Sequence, residues 1–290
     1  MLTPPKYLNP FTDFGFKKLF GSEANKDLLI DFLNEVIREQ GTITNIHYLK
    51  SEQLGAGIVN RRAIFDIYCE NERGEKFIVE MQKVKQNYFK DRSIFYSTFP
   101  IQEQGIQGEW NFSLKAVYLI GVLDFVFDED KDDLSYYHHE IKLRDTKKHQ
   151  VFYDKLTFIY LEMPKFDKTE EELETHFDKW MYVLKNLPIL EKRPLKLQEK
   201  VFESLFKTAE IAQFTSVERT YYEDSLKIYR DLKNSMDTAE EEGLKKGIVK
   251  GKIEIAKKML SKNFPVDVII ECTGLSAEEI NNLQLSKPCN

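Results

Sequence analysis

Asp66 and Glu80 stand fourteen positions apart in two strand-like runs, and Gln82 follows the second carboxylate by two. The first run is Ala63-Ile64-Phe65-Asp66-Ile67-Tyr68-Cys69 and the second is Lys76-Phe77-Ile78-Val79-Glu80-Met81-Gln82. Asn71-Glu72-Arg73-Gly74 between them is turn chemistry, so a hairpin is expected. Strand side chains alternate faces, which groups Glu80 with Gln82 and sends Val79 and Met81 into the core. Such a hairpin brings Asp66 beside Glu80. Two carboxylates converging on apolar strands repel each other unless a cation lies between them. Hard oxygen donors, the Met81 carbonyl included, suit Mg²⁺, with Mn²⁺ as its substitute. That donor set outlines a metal-dependent phosphodiesterase centre.

The neighbouring elements must hold those groups in place. Leu28, Leu29, Phe32, Leu33, Val36 and Ile37 recur at helical spacing and predict an amphipathic helix over about 25–40, ending before Gly41. A first strand is expected over 43–49. A helix over about 88–103 follows the acid pair, with Tyr88, Arg92, Tyr96 and Phe99 on or near one face. The run 113–122 is almost unbroken in its apolar character, as in a strand covered on both faces. Two more strands are expected over 136–143 and 156–162, so the first half reads as a mixed α/β sheet.

Beyond Pro164 the segments 171–187, 197–213 and 216–262 have helical spacing and no strand signals. Gly243, Gly247 and Gly251 recur every four residues, each costing about 1 kcal/mol of helix propensity relative to Ala. A charged linker helix, a small-residue stripe for self-association and a loop all fit them. The stretch 252–283 has the rhythm of three short helices. Pro265 suits a first turn, Thr273-Gly274-Leu275 a tight turn, and Ser276 with Glu279 a capping box. A helix-turn-helix is the obvious reading. Its would-be recognition helix, however, offers Glu278, Glu279, Asn281, Asn282 and Gln284 and no Arg or Lys to meet phosphates. Packing or oligomerisation is therefore the role expected of it.

These residues carry a likeness. Asp66…Glu80-x-Gln82 resembles the acidic core of the PD-(D/E)xK nuclease superfamily, in the variant where Gln replaces the last Lys. The segment Thr12-Asp13-Phe14-Gly15-Phe16-Lys17-Lys18-Leu19-Phe20-Gly21, the helix over 28–37 and Val79-Glu80-Met81-Gln82 resemble the family of PD-(D/E)xK transposases, also called recombination-promoting nucleases. Glu242-Gly243 and Thr273-Gly274-Leu275-Ser276 extend the likeness along nearly the whole chain. The resemblance implies a restriction-endonuclease-like mixed sheet flanked by helices, followed by an all-helical C-terminal region. It also implies a Mg²⁺-dependent DNA endonuclease linked to recombination and mobile elements, with Asp66, Glu80 and Gln82 catalytic and Asp66, Glu80 and the Met81 carbonyl on the metal. Expected divisions are a nuclease-like core over 1–165, a helical extension over 166–237 and a tail over 238–290 that assembles homo-oligomers.

Composition sets limits on this reading. At 290 residues and 42% hydrophobic content, one sizeable packed domain and an appendage are expected. A net charge of −6 runs mildly against a nucleic-acid binder, whose footprint is usually basic. The local balance differs: over 60–95, eight Lys/Arg, Arg61 and Arg62 among them, face six Asp/Glu, two of which are the metal candidates. No secretory signal is expected at the N-terminus, and the longest apolar run, 116–127, is too short for a bilayer and contains Asp124. Three scattered cysteines, Cys69, Cys272 and Cys289, fit reduced thiols in a cytoplasm.

Gln82 cannot exchange a proton as Lys does, only hydrogen-bond, so it is read as orienting the attacking water or a phosphate, or else as a polar strand-edge residue. On the superfamily pattern Gln82→Lys is expected to preserve or raise activity. The general base is left open, because Lys83 should point to the other face. Accessory candidates are Glu35, in competition with Glu23, Asp27 and Asp31, and Tyr88 with Arg92, whose guanidinium fork suits a phosphate. His138-His139-Glu140 reads as structural, since consecutive strand residues face opposite ways. A catalytically weak, nuclease-fold binding protein that assembles through its tail is the alternative function.

Overall fold

Thr12 and Gly15 define the first helix, α1 (Asp13–Phe20). The Thr12 hydroxyl accepts a hydrogen bond from the Gly15 N–H at 3.0 Å and donates to the Asn9 carbonyl at 2.8 Å. A Cβ on Gly15 would lie 2.2 Å from that same carbonyl oxygen, so only glycine fits this approach. The computed structural model describes residues 4–37, 41–53, 63–105 and 111–285; Arg61, Arg62, Cys289 and the expected helix end at 38–40 lie outside them.

Helix α2 (Lys26–Val36) buries the periodic set Leu28, Leu29, Phe32, Leu33 and Val36. β1 (Ile46–Tyr48) is shorter than the expected 43–49 strand. Among the described residues β2 (Glu52–Gln53) and β3 (Ala63–Ile64) pair only with each other, outside the main sheet. The strand-like run at 63–69 is thus broken at Phe65-Asp66, and β4 (Ile67–Asn71) starts after the bend. β5 (Lys76–Gln82) returns antiparallel to β4. In the turn between them Asn71 Oδ1 accepts from the N–H groups of Arg73 and Glu75, each at 3.0 Å, and Gly74 takes φ +78°. Helix α3 (Phe89–Gln102) crosses over to β6 (Val117–Leu123), which runs parallel to β5 and is buried at every residue. β7 (His138–Asp145) and β8 (Gln150–Glu162) make a long hairpin, with β8 parallel to β6. The sheet order is β1-β4-β5-β6-β8-β7, the mixed sheet expected.

The sheet separates two apolar layers. On one face Val79, Met81 and Ile120 pack with Phe16, Leu19 and Phe20 of α1 and the apolar stripe of α2. That layer also takes in α4 (His176–Asn186) and α5 (Lys200–Ala209), shorter than the helices expected over 171–187 and 197–213. Fully buried Trp180 stitches it together, touching Phe20, Phe32 and Phe202 and donating to Asp31 at 2.6 Å. On the other face Ile78, Leu119 and Phe158 pack with Phe65 and α3.

The chain divides into two compact units, 1–230 and 231–290. Helix α6 (Ser216–Ser261) begins in the first and continues unbroken through Gly243, Gly247 and Gly251, which removes the loop reading of that stretch. The first of the three short helices expected near the C-terminus is the end of α6; α7 (Val266–Thr273) and α8 (Ala277–Leu285) are the other two. Ala256, Leu260, Ile269, Leu275 and Ile280 form the second unit's core. Gly274 turns the chain at φ +66°, and Ser276 and Glu279 cap α8 reciprocally. Among the described residues no helix is long and apolar enough to cross a membrane.

Gly15→Ala should cost about 1–3 kcal/mol, because the clash is with backbone that cannot move aside as a side chain would. Chemical denaturation of the variant measures it; wild-type stability would show that α1 is not held by this contact.

Candidate active site

The β4–β5 register pairs Ile67 with Val79, so the next step along the hairpin sets Asp66 against Glu80. Because Asp66 lies on the bend before β4, its backbone and side chain are free of the ladder and bind across the gap. Its N–H donates to Glu80 Oε1 at 3.3 Å, and its Oδ2 accepts from the Met81 N–H at 2.8 Å. Glu80 and Gln82 are each only 8% exposed. Among the described residues neither Asp66 nor Glu80 has a basic group within ion-pair distance.

Burial dominates the electrostatics. It pushes both carboxyls up, Glu80 to about 8, and the charge of Asp66 raises Glu80 further. The Met81 N–H and the ammoniums of Lys17 and Lys83 act the other way on Asp66, while Arg92 and Lys17 do so on Glu80. Two desolvated oxygen-donor groups side by side, with their nearest cations at a remove, fit a hard divalent ion.

Three contributors escape the sequence reading. Asp13 and Lys17, one turn apart on α1 and paired at 3.0 Å, both act on Asp66. Lys83 does too: strand alternation places it on the Val79 and Met81 face of β5, where α1 packs, and it is Asp13 and Lys17 of α1, with Asp66, that act on it. Burial pushes the Lys83 ammonium down, against the pull of Asp13 and Asp66. The acid that α1 brings near the pair is Asp13. Glu35 sits on α2, where its charge is felt by His176.

Gln82 is engaged at both ends of its amide. Its oxygen accepts from Arg92 Nη2 at 2.5 Å and its nitrogen donates to the Val84 carbonyl at 2.9 Å. Arg92 also donates to Gln86 at 2.6 Å and lies against the rings of Phe89 and Tyr96. Tyr88, in the left-handed region and 80% exposed, precedes α3, and its carbonyl accepts from the Arg92 N–H at 2.9 Å.

A second polar group lies at the far side of the sheet. Asp130, His139 and Glu162 each bring a ligand atom within 4.8 Å of the others. Fully buried Lys165 already sits 2.7 Å from Glu162, which also accepts from the Phe127 N–H at 2.5 Å. That ammonium offsets the Glu162 charge, and His139 Nε2 lies 3.2 Å from the same carboxylate.

A sequence model of the PD-(D/E)XK nuclease family transposase matches residues 10–239. The chain belongs to that family. The C-terminal HTH domain of the Rpn/YhgA-like nuclease family matches residues 250–285, which cover the end of α6, α7 and α8. No curated protein and no solved structure compared with the chain matches it. Membership accords with the six-stranded mixed sheet and its flanking helices, and the HTH domain brings an association with DNA binding.

With Glu80 raised to about 8, the folded chain without metal binds more protons than the unfolded one between pH 4.5 and about 8. Its contribution is therefore present at low pH and lost as pH rises through that window. Thermal denaturation in EDTA should show this decline, Mg²⁺ should lift stability most at the alkaline end, and Glu80→Gln should flatten the curve. An identical decline in Glu80→Gln would contradict the assignment.

Proposed function

We propose that the chain is a divalent-metal-dependent endonuclease that hydrolyses phosphodiester bonds of DNA in recombination linked to mobile elements. The observation that carries this reading is the Asp66–Glu80 contact: the buried Glu80 carboxylate accepts from the Asp66 N–H, the half-buried Asp66 carboxylate accepts from the Met81 N–H, and among the described residues neither has a cation within ion-pair distance. Asp66, Glu80 and the Met81 carbonyl would hold Mg²⁺ or Mn²⁺. Such an ion supplies Lewis acidity to the phosphodiester and to the attacking water. Arg92, its fork oriented by Gln82 and Gln86, meets a phosphate from the α3 side. Lys17 does so from α1. Gln82 is then a positioning residue for Arg92. The proton transfer that an amide cannot perform falls to Lys83, whose pKa is pushed down beside Asp66.

The divisions 1–165, 166–237 and 238–290 are proposed as core, extension and tail, in a cytoplasmic protein whose Cys69 and Cys272 are free thiols. Self-association through the tail draws support from α6. Leu244, Ile248 and Ile255 are half to two-thirds exposed, and a Cβ on Gly243, Gly247 or Gly251 would meet nothing within 4 Å. A monomer by light scattering would end that part. The same stripe supports a second reading, a weakly catalytic binding protein that assembles through its tail.

Nicking of supercoiled plasmid in Mg²⁺ separates the two. Asp66→Ala and Glu80→Ala should each lose more than about 100-fold in rate while keeping wild-type circular dichroism. Equal nicking by both variants and wild type would remove these residues from the site.

Gln82→Lys gives a sharper outcome, and here the geometry reverses the sequence expectation. An ammonium at that position would face the Arg92 guanidinium in place of the amide oxygen that now accepts from it. Activity should fall in Gln82→Lys as it does in Gln82→Ala. Wild-type or higher rates for Gln82→Lys would restore the superfamily role of a lysine there.

A further inference from the structure

α1 presents two adjoining strips outward. Asp13 and Lys17 act on the acid pair, while Phe14, Lys17 and Lys18 line a cavity of about 690 Å³ shared with α5 and the 213–218 segment. Lys17 belongs to both, so the cavity begins where the candidate active site ends. Its volume falls within the roughly 300–1,000 Å³ of ordinary ligand sites. Unlike those sites it is walled by lysines and hydroxyls: Lys17, Lys18 and Lys207, with Ser204 and Thr208, against the single carboxylate of Glu218.

The lysines differ in what they already hold. Lys18 is ion-paired with Glu218 and lies over the Phe214 ring, and Lys17 is paired with Asp13 at 3.0 Å. Lys207 is exposed, and among the described residues it has no carboxylate within ion-pair distance. The Ser204 hydroxyl stands one turn from it on α5, and that of Thr208, the next residue, donates to Asn25 Oδ1 at 3.4 Å on the same cavity wall. An ammonium without an acid partner beside a hydroxyl donor is the chemistry of a phosphate contact.

We propose that this cavity receives the substrate backbone next to the cut, with its phosphate on Lys207 and Lys17. The proposal rests on the nuclease reading of Asp66 and Glu80 and gives that reading a direction. α1 and α3 belong to opposite apolar layers of the sheet, so Lys17 and Arg92 flank the acid pair from two sides. A phosphodiester chain crossing the pair leaves along α1, past Lys17 and over Lys207. Contacts of this kind neutralise charge without reading bases, so affinity should be insensitive to sequence and sensitive to salt.

The test is fluorescence anisotropy of a labelled DNA duplex bound by the full chain in Ca²⁺, titrated over a range of salt. Lys207→Glu should bind about tenfold more weakly and lose about one unit of the log–log salt slope. Lys207→Arg should keep both, and Lys147→Glu, on the β7–β8 turn, should match wild type. Lys207→Glu binding with wild-type affinity and slope overturns the proposal and leaves the role of the acid pair intact. The loss on Lys207→Glu in a chain that never nicks DNA would sustain the cavity and count against the acid pair.

Discussion

Two neighbouring carboxylates, one buried and one half-buried, make a demand that the surrounding structure must answer. The β4–β5 register leaves Asp66 next to Glu80, and the bend at Phe65-Asp66 frees the Asp66 backbone to bind its neighbour. Burial and mutual repulsion both push the pair toward its protonated form. A cation between them reverses that balance, and the family to which the chain belongs is one of nucleases. The first unit can therefore be understood as a device for holding two acids in place against their own repulsion.

Both layers of the sheet serve that device. On one side Thr12 and Gly15 fix the start of α1 against the Asn9 carbonyl, and α1 in turn carries Asp13 and Lys17 to the pair. On the other, Phe89 and Tyr96 of α3 flank the Arg92 guanidinium, and Gln82 holds its fork. Each cation is tethered by a neighbour that is not part of the acid pair, so removing one of the two acids need not collapse the arrangement around it.

How much of this was legible depended on the range of the signal. The hairpin, the apposition of Asp66 and Glu80, α2 and the buried β6 follow from turn chemistry and periodicity within a few dozen residues. α1 was missed as a helix because eight residues give barely two turns of pattern, and its cap lies in side-chain geometry. Alternation puts Lys83 on the Val79 and Met81 face, but that its charge is felt by Asp66 follows only from the packing of α1 and the bend at Phe65-Asp66. The Gln82–Arg92 bond spans ten residues and two elements, and no spacing rule announces it. Glu162 and Lys165 neutralise each other over one turn, yet their burial against His139 appears only once β7 and β8 pair. Nothing in the sequence points to Lys207 as a neighbour of α1, since 190 residues separate it from Lys17.

The central claim is that Asp66 and Glu80 share a divalent cation, and Mn²⁺ binding followed by electron paramagnetic resonance tests it without reference to any substrate. Wild type should bind one Mn²⁺ per chain at neutral pH, Asp66→Ala and Glu80→Ala should leave the added Mn²⁺ free, and Mg²⁺ should displace it. Tight Mn²⁺ binding that survives both substitutions, or none in wild type, would contradict the account.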